Sequence, residues 1–137
     1  MNIQVIFVIA LFAIHFLADF PLQSRKIADN KGKDIKYLLL HGIDYTSVWL
    51  FAITIPLFIE SLLSMKLNIL GNTSIWYRYY IYCLLNGVLH IMIDFVTSKF
   101  TSKFYARKEY SKFFTIIGLD QFIHTSILFI TYNLILI

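Results

Sequence analysis

A chain of 137 residues that is 58% hydrophobic and only 15% charged, with a mean hydropathy of +0.69, is too apolar for a soluble domain and falls among membrane proteins. Its net charge of +4 comes from basic residues beside apolar runs, so anionic lipid headgroups are the expected partners and no nucleic acid is expected. The single cysteine, Cys83, excludes an intramolecular disulfide framework and a cysteine-based metal cluster within one chain.

Four apolar segments, 3–20, 38–59, 79–98 and 113–137, each approach the roughly 20 residues that cross a hydrocarbon layer. The expected fold is all-α: an integral membrane protein built as one compact four-transmembrane-helix bundle over 1–137. The first helix covers 3–20 and ends before Pro21. It is not expected to be a cleaved signal, because no Lys or Arg precedes it and His15 and Asp19 interrupt it. Residues 24–36 form a polar connector with one interfacial turn, broken around Asn30, Lys31 and Gly32. The second helix covers 36–65, with a bend at Pro56 and Glu60 as a boundary residue on the far side. Trp49 reads as lipid-facing packing. Asn68 to Ser74 is a turn, with Gly71 and Asn72 as breakers. The third helix, 75–99, starts in an aromatic belt of Trp76, Tyr77, Tyr79, Tyr80 and Tyr82. The fourth covers 110–135.

Charge sets the orientation. The first loop carries Arg25, Lys26, Lys31, Lys33 and Lys36, and the third carries Lys99, Lys103, Arg107, Lys108 and Lys112. The second has only Lys66 and, before the next span, Arg78. The positive-inside rule then puts loops one and three in the cytoplasm and both termini outside.

Within this oily sequence, four segments pair ionisable residues one helical turn apart: His15 with Asp19, His41 with Asp44, His90 with Asp94, and Asp120 with His124. Measured along the helices from the basic boundaries, most of these groups lie approximately 8 to 18 Å deep, so they share a layer. Small residues, Ala18, Gly42, Gly87 and Gly118, accompany the pairs and allow close helix approach. Ionisable groups at such depth are costly unless they pair, bind an ion or line a cavity. The pattern predicts one buried polar centre.

Imidazole and carboxylate donors suit a divalent metal, with zinc preferred and manganese or iron as alternatives. The expected ligands are His15, Asp19, His41, His90, Asp94, Asp120 and His124, enough for one ion with supporting carboxylates or two ions bridged by an aspartate. Gln23, Asp44, Asn86 and Gln121 are placed to orient them. A serine in a nucleophile-elbow context is lacking, so metal-activated water is the expected nucleophile, with Asp19, His41, Asp94 and Asp120 as candidate catalytic groups. The substrate would be a phosphoester-containing lipid or small amphiphile at the inner leaflet, drawn in by Arg25, Lys26 and Lys99. Two other readings use the same residues. One is a non-catalytic, metal-stabilised membrane scaffold or interaction module, with a homo-oligomer or protein partner. The other is proton or metal-ion transport.

The phrase His15-Phe16-Leu17-Ala18-Asp19-Phe20-Pro21-Leu22-Gln23, followed by His41, His90-x-x-x-Asp94 with Lys99 beyond it, and Asp120-Gln121-x-x-His124, resembles an uncharacterised bacterial and phage membrane family, domain of unknown function 3307. The resemblance runs from the first helix to the last and implies integral-membrane architecture in a bacterial or phage-host inner membrane. The distribution of histidines and aspartates over short apolar helices is also similar to that of membrane-bound metal-dependent hydrolases of the YdjM type. That second resemblance is the source of the expected hydrolase activity, and phage association would allow a role in envelope modification or superinfection control.

Overall fold

The computed structural model describes residues 3–63 and 73–136, with side chains over 5–6, 8–52 and 76–136. It is all-α: α1 (Ile3–Asp19), α2 (Arg25–Asn30), α3 (Ile35–Leu63), α4 (Thr73–Ala106) and α5 (Tyr110–Ile135), with no strand among the described residues. α3 and α4 pack together, α4 and α5 form the most extensive pairing, and α1 closes the ring against α3 and α5.

Local chemistry sets most boundaries. α1 is a largely apolar run, interrupted by His15 and Asp19, that stops two residues before Pro21. Ser24 starts α2 as an N-cap, in extended conformation, its hydroxyl accepting from the Ile27 amide at 3.4 Å. At the other end the Lys31 amide donates to the Ile27 carbonyl at 2.8 Å. Asp34 then opens α3 by accepting from the Lys36 amide at 2.9 Å.

α4 overruns its expected end at Lys99 and continues to Ala106. The reason is compositional: neither glycine nor proline interrupts 88–106. The expected third loop shrinks to Arg107–Glu109, where Lys108 adopts a left-handed φ of 57°. Its amide donates to Tyr105, and the Glu109 amide to Phe104, both at 3.0 Å, which closes the helix in a Schellman arrangement.

Two of the small residues are notches. A Cβ on Gly42 would run into Ile91, and one on Gly87 into Thr46, so each helix of the α3–α4 pair lets the other in. Gly118 faces open space.

The interior has two layers. Leu11, Tyr45, Trp49, Tyr82, Cys83 and Leu128 form an apolar cluster, so Trp49 is core rather than lipid-facing. It follows Tyr45 at i+4 on the inward stripe of α3. The aromatic belt divides likewise: Tyr77 and Tyr80 face outward, while Tyr82 is buried and the Tyr79 hydroxyl donates to the Trp49 carbonyl. The second layer is polar, with His15, Asp19, His41, His90, Asp94 and His124 all buried. Outside stand Ile9, Phe12, Phe16, Ile43, Phe51, Leu84, Met92, Phe122 and Leu134, all exposed. Polar inside and apolar outside is the inverse of a water-soluble helical domain.

Among the described residues, two helices are long and apolar enough to cross a membrane, over 76–106 and 110–135. Val8–Asp19 is apolar but shorter. That is two such helices where four were expected. The turn expected at Asn68–Ser74 lies largely outside the described residues, as do the side chains of Pro56 and Glu60.

Candidate metal centre

Four helices deliver ligand-type atoms to one place. Asp19 from α1, His41 from α3, and His90 and Asp94 from α4 form one group, with an atom from each within 4.8 Å of the others. Asp94 also belongs to a second group, with Asp120 and His124 of α5. Its two oxygens divide the work. Oδ2 lies 3.3 Å from His41 Nε2 and 3.8 Å from His90 Nε2, whereas Oδ1 lies 3.3 Å from His124 Nε2. Asp120 Oδ1 stands 3.3 Å from that same His124 nitrogen.

Several ligand-type atoms crowd around one nitrogen of this arrangement. His41 Nε2 faces Asp19 Oδ1 at 3.1 Å, Asp94 Oδ2 at 3.3 Å and His90 Nε2 at 2.8 Å. One imidazole nitrogen carries at most one hydrogen, so it cannot serve three neighbours at once. A cation among these lone pairs can. The mixed nitrogen and oxygen donors suit a divalent metal ion, and each group could hold one.

Supporting contacts come from particular neighbours. Gln23 Nε2 lies 3.0 Å from His41 Nδ1. A metal on Nε2 would require Nδ1 to carry the hydrogen, and the Gln23 amide would then present its oxygen. Gln121 Nε2 donates to Asp19 Oδ2 at 2.8 Å and to Asp120 Oδ2 at 3.1 Å. Thr97 donates to Asp120 Oδ1 at 2.6 Å, and Ser98 donates to the Asp94 carbonyl.

His15, expected as a ligand, stands beside the centre. Its Nδ1 pairs with the Tyr45 hydroxyl at 3.1 Å and its Nε2 with Gln121 Oε1 at 3.2 Å, so it belongs to neither group. Asp44, expected to orient His41, lies on the exposed side of α3. The inward stripe of α3 runs His41, Tyr45, Trp49 at i+4 steps, and a residue at i+3 falls on the other side of it. Asn86 is a layer away: it donates to the Tyr82 carbonyl at 2.8 Å and accepts from Thr131 at 3.0 Å. The expected attracting cations are peripheral. Arg25 is paired with Asp29 at 3.9 Å on the surface, Lys26 sits over the Tyr37 ring at 5.8 Å, and Lys99 lies over the Phe95 ring at 3.4 Å.

Two functional residues escaped the sequence reading. Tyr45 stacks on His90, with ring centroids 3.8 Å apart and planes at 5°, and its signal was the i+4 step from His41. Lys31 reaches in from the end of α2, with Nζ 2.7 Å from Asp94 Oδ2 and 3.5 Å from Asp19 Oδ1. Burial disfavours its ammonium, but Asp94 and Asp19 outweigh that and raise its pKa above the ordinary lysine value. In the sequence alone Lys31 reads only as a topology signal.

The centre opens to one side. A cleft of about 300 Å³ is lined by Asp19, Asp94 and Asp120, by Lys31, Gln23 and Gln121, by Thr97, Ser98 and Thr101, and by Phe20, Ala28, Phe113 and Ile117. A second hollow shares Ala28, Thr101 and Phe113 with it and continues to Asp29, Lys33, Ser102 and Tyr105. The segment between α1 and α3 therefore meets the end of α4 and the start of α5 where the cleft opens.

A family model described as "Protein of unknown function (DUF3307)" matches residues 6–137. No curated protein and no solved structure matches the chain, and nothing ties it specifically to hydrolases of the YdjM type.

Proposed function

We propose that the chain, which belongs to the family described as proteins of unknown function (DUF3307), is a membrane-embedded metal-dependent hydrolase of a phosphoester in a lipid or small amphiphile, reached from the inner leaflet. The observation that carries this reading is Asp94, whose two oxygens face two ligand groups at the floor of an open cleft. Two ions held there, zinc by preference and manganese or iron otherwise, would supply Lewis acidity and make a water nucleophilic near neutral pH.

The chain's own residues would do the rest. Asp120 is only half-buried, stands at the cleft and is held by Thr97 and Gln121, which suits it to take the proton of the attacking water. A new phosphorus–oxygen bond forms as the ester phosphorus–oxygen bond breaks, and the proton is returned to the leaving alkoxide. His41 and Asp19 keep their orientation through Gln23 and Gln121.

Orientation follows the basic residues. The basic residues of the α1–α3 segment and of the α4–α5 junction support a cytoplasmic placement of the cleft and termini on the opposite side, with four membrane-crossing helices in a bacterial or phage-host inner membrane. Transport fits less well, because beyond the histidines the interior is closed by Trp49, Tyr82 and Leu128. A metal-fastened scaffold would have no use for a cleft onto its ligands.

The test is elemental analysis of protein purified without a histidine tag, followed by incubation with labelled inner-leaflet lipids. Bound metal and metal-dependent release of a cleaved headgroup or alcohol are expected. Folded protein without metal would defeat the reading, and metal without turnover across a broad lipid panel would leave the scaffold.

A further inference from the structure

Among the described residues, three carboxylates line the cleft, and Lys31 is the one basic residue with them. It does not arrive there by chance of rotamer. Gly32 lies so close to α4 that a Cβ would overlap the Ser98 carbonyl and the Ser102 hydroxyl, so the absence of a side chain is what lets this segment press against α4. Lys31 is thereby carried under the bundle, with its side chain 17% exposed.

An ammonium has three N–H donors. Asp94 takes one at 2.7 Å and Asp19 is within reach of a second at 3.5 Å, which leaves a third for a ligand in the cleft. Most neighbouring donors are otherwise engaged. Thr97 donates to Asp120, Thr101 to the Ser98 carbonyl at 3.0 Å, and the Gln121 amide to Asp19 and Asp120. Among the described residues lining this cleft, Lys31 is thus the charged donor that an entering anion meets.

We infer that Lys31 is the phosphoryl-binding residue of the cleft, seated by Gly32, and that its ligand is a phosphoester joining an apolar chain to a small polar head. This rests on the metal-dependent reading above, since three carboxylates repel a phosphate until divalent ions reverse the sign of the floor. The walls match the ligand's two ends. Phe20, Phe113 and Ile117 offer an apolar side, and the adjoining hollow with Asp29, Lys33 and Tyr105 offers a polar exit. A cleft of about 300 Å³ is at the lower end of ligand-site volumes, which suits a phosphate and little more at the centre itself.

The experiment uses the full chain loaded with Mn²⁺, which broadens the phosphorus resonance of a phosphate held nearby. The probes are inorganic phosphate and short-chain dihexanoyl phosphatidylglycerol, and metal content is measured on every preparation. In the parent protein both probes should broaden, with the amphiphile bound more tightly. Lys31→Met should keep its metal and lose about tenfold to a hundredfold in affinity for both probes, the range for a charge-assisted hydrogen bond. Gly32→Ala, which retains the charge but moves its seat, should weaken both as well and reads the proposal if Lys31→Met does not fold. Unchanged affinity in a folded, metal-loaded variant of either kind overturns the subsite and leaves the metal centre standing. Inorganic phosphate bound as tightly as the amphiphile overturns the assigned ligand class. A parent protein that takes up no metal overturns the proposed function and this subsite with it.

Discussion

Gln23 Nε2 lies 3.0 Å from His41 Nδ1, and this contact, rather than one from Asp44, governs how the imidazole is presented to the ligand group. Partners of this kind fix the ring orientation and the tautomer. Gln23→Ala should therefore lower metal affinity by roughly 10–100-fold, the usual range for such contacts. Asp44→Asn, on the exposed side of α3, should leave affinity unchanged. Competition with a chelator, run on both variants in detergent, measures the difference.

Asp94 is shared by both ligand groups, whereas Asp120 and His124 belong to one. Asp120→Ala should lower bound metal to about half of the parent value by emptying the second group while the first keeps its four members. Asp94→Ala should reduce occupancy at both. Elemental analysis against protein concentration decides this, and equal losses in the two variants would contradict the shared-aspartate arrangement.

The glycines make opposite predictions. Gly87→Ala puts a methyl group into Thr46 and should destabilise the bundle by about 1–3 kcal/mol, the usual cost of overpacking. Gly118→Ala meets nothing and should stabilise α5 by up to about 1 kcal/mol through helix propensity. Thermal unfolding in detergent, followed by circular dichroism, reports both shifts.

Orientation is checked by cysteine labelling in intact cells. Asn30→Cys should react only after the cytoplasmic side is exposed, and Asn72→Cys should react from outside. Cys83 is buried and should stay silent in both. Reversed labelling would invert the topology, and outside reactivity at both positions would remove a span.

The helices and the polar centre were legible because apolar length and one-turn spacing are local properties. His90 with Asp94, and Asp120 with His124, need only a regular helix to share a face. Spacing did not reveal which side of the i+3 and i+4 pair faces inward, so Asp44 was assigned to His41 while Tyr45 went unnoticed. A shared face with Asp19 predicts a ligand role for His15. It falls beside the groups because its two nitrogens meet Tyr45 and Gln121, from helices far away in sequence. Lys31 was hidden for a related reason. A lysine in a basic connector usually reports topology, and only the notch at Gly32 against α4 turns this one inward. The end of α4 was misplaced because a basic, polar stretch without glycine or proline can remain helical outside the apolar layer.

The arrangement of ligands along the chain also bears on how the protein is made. Asp19, His41, His90 and Asp94 all precede Tyr110, so a nascent chain has its first four-ligand seat before α5 has been synthesised. Asp120 and His124 arrive with the last helix. An ion captured early would clamp three helices around carboxylates that lipid would otherwise penalise, and α5 would dock onto a scaffold already set. In that order of events the metal is an assembly factor during biogenesis before it takes part in any chemistry.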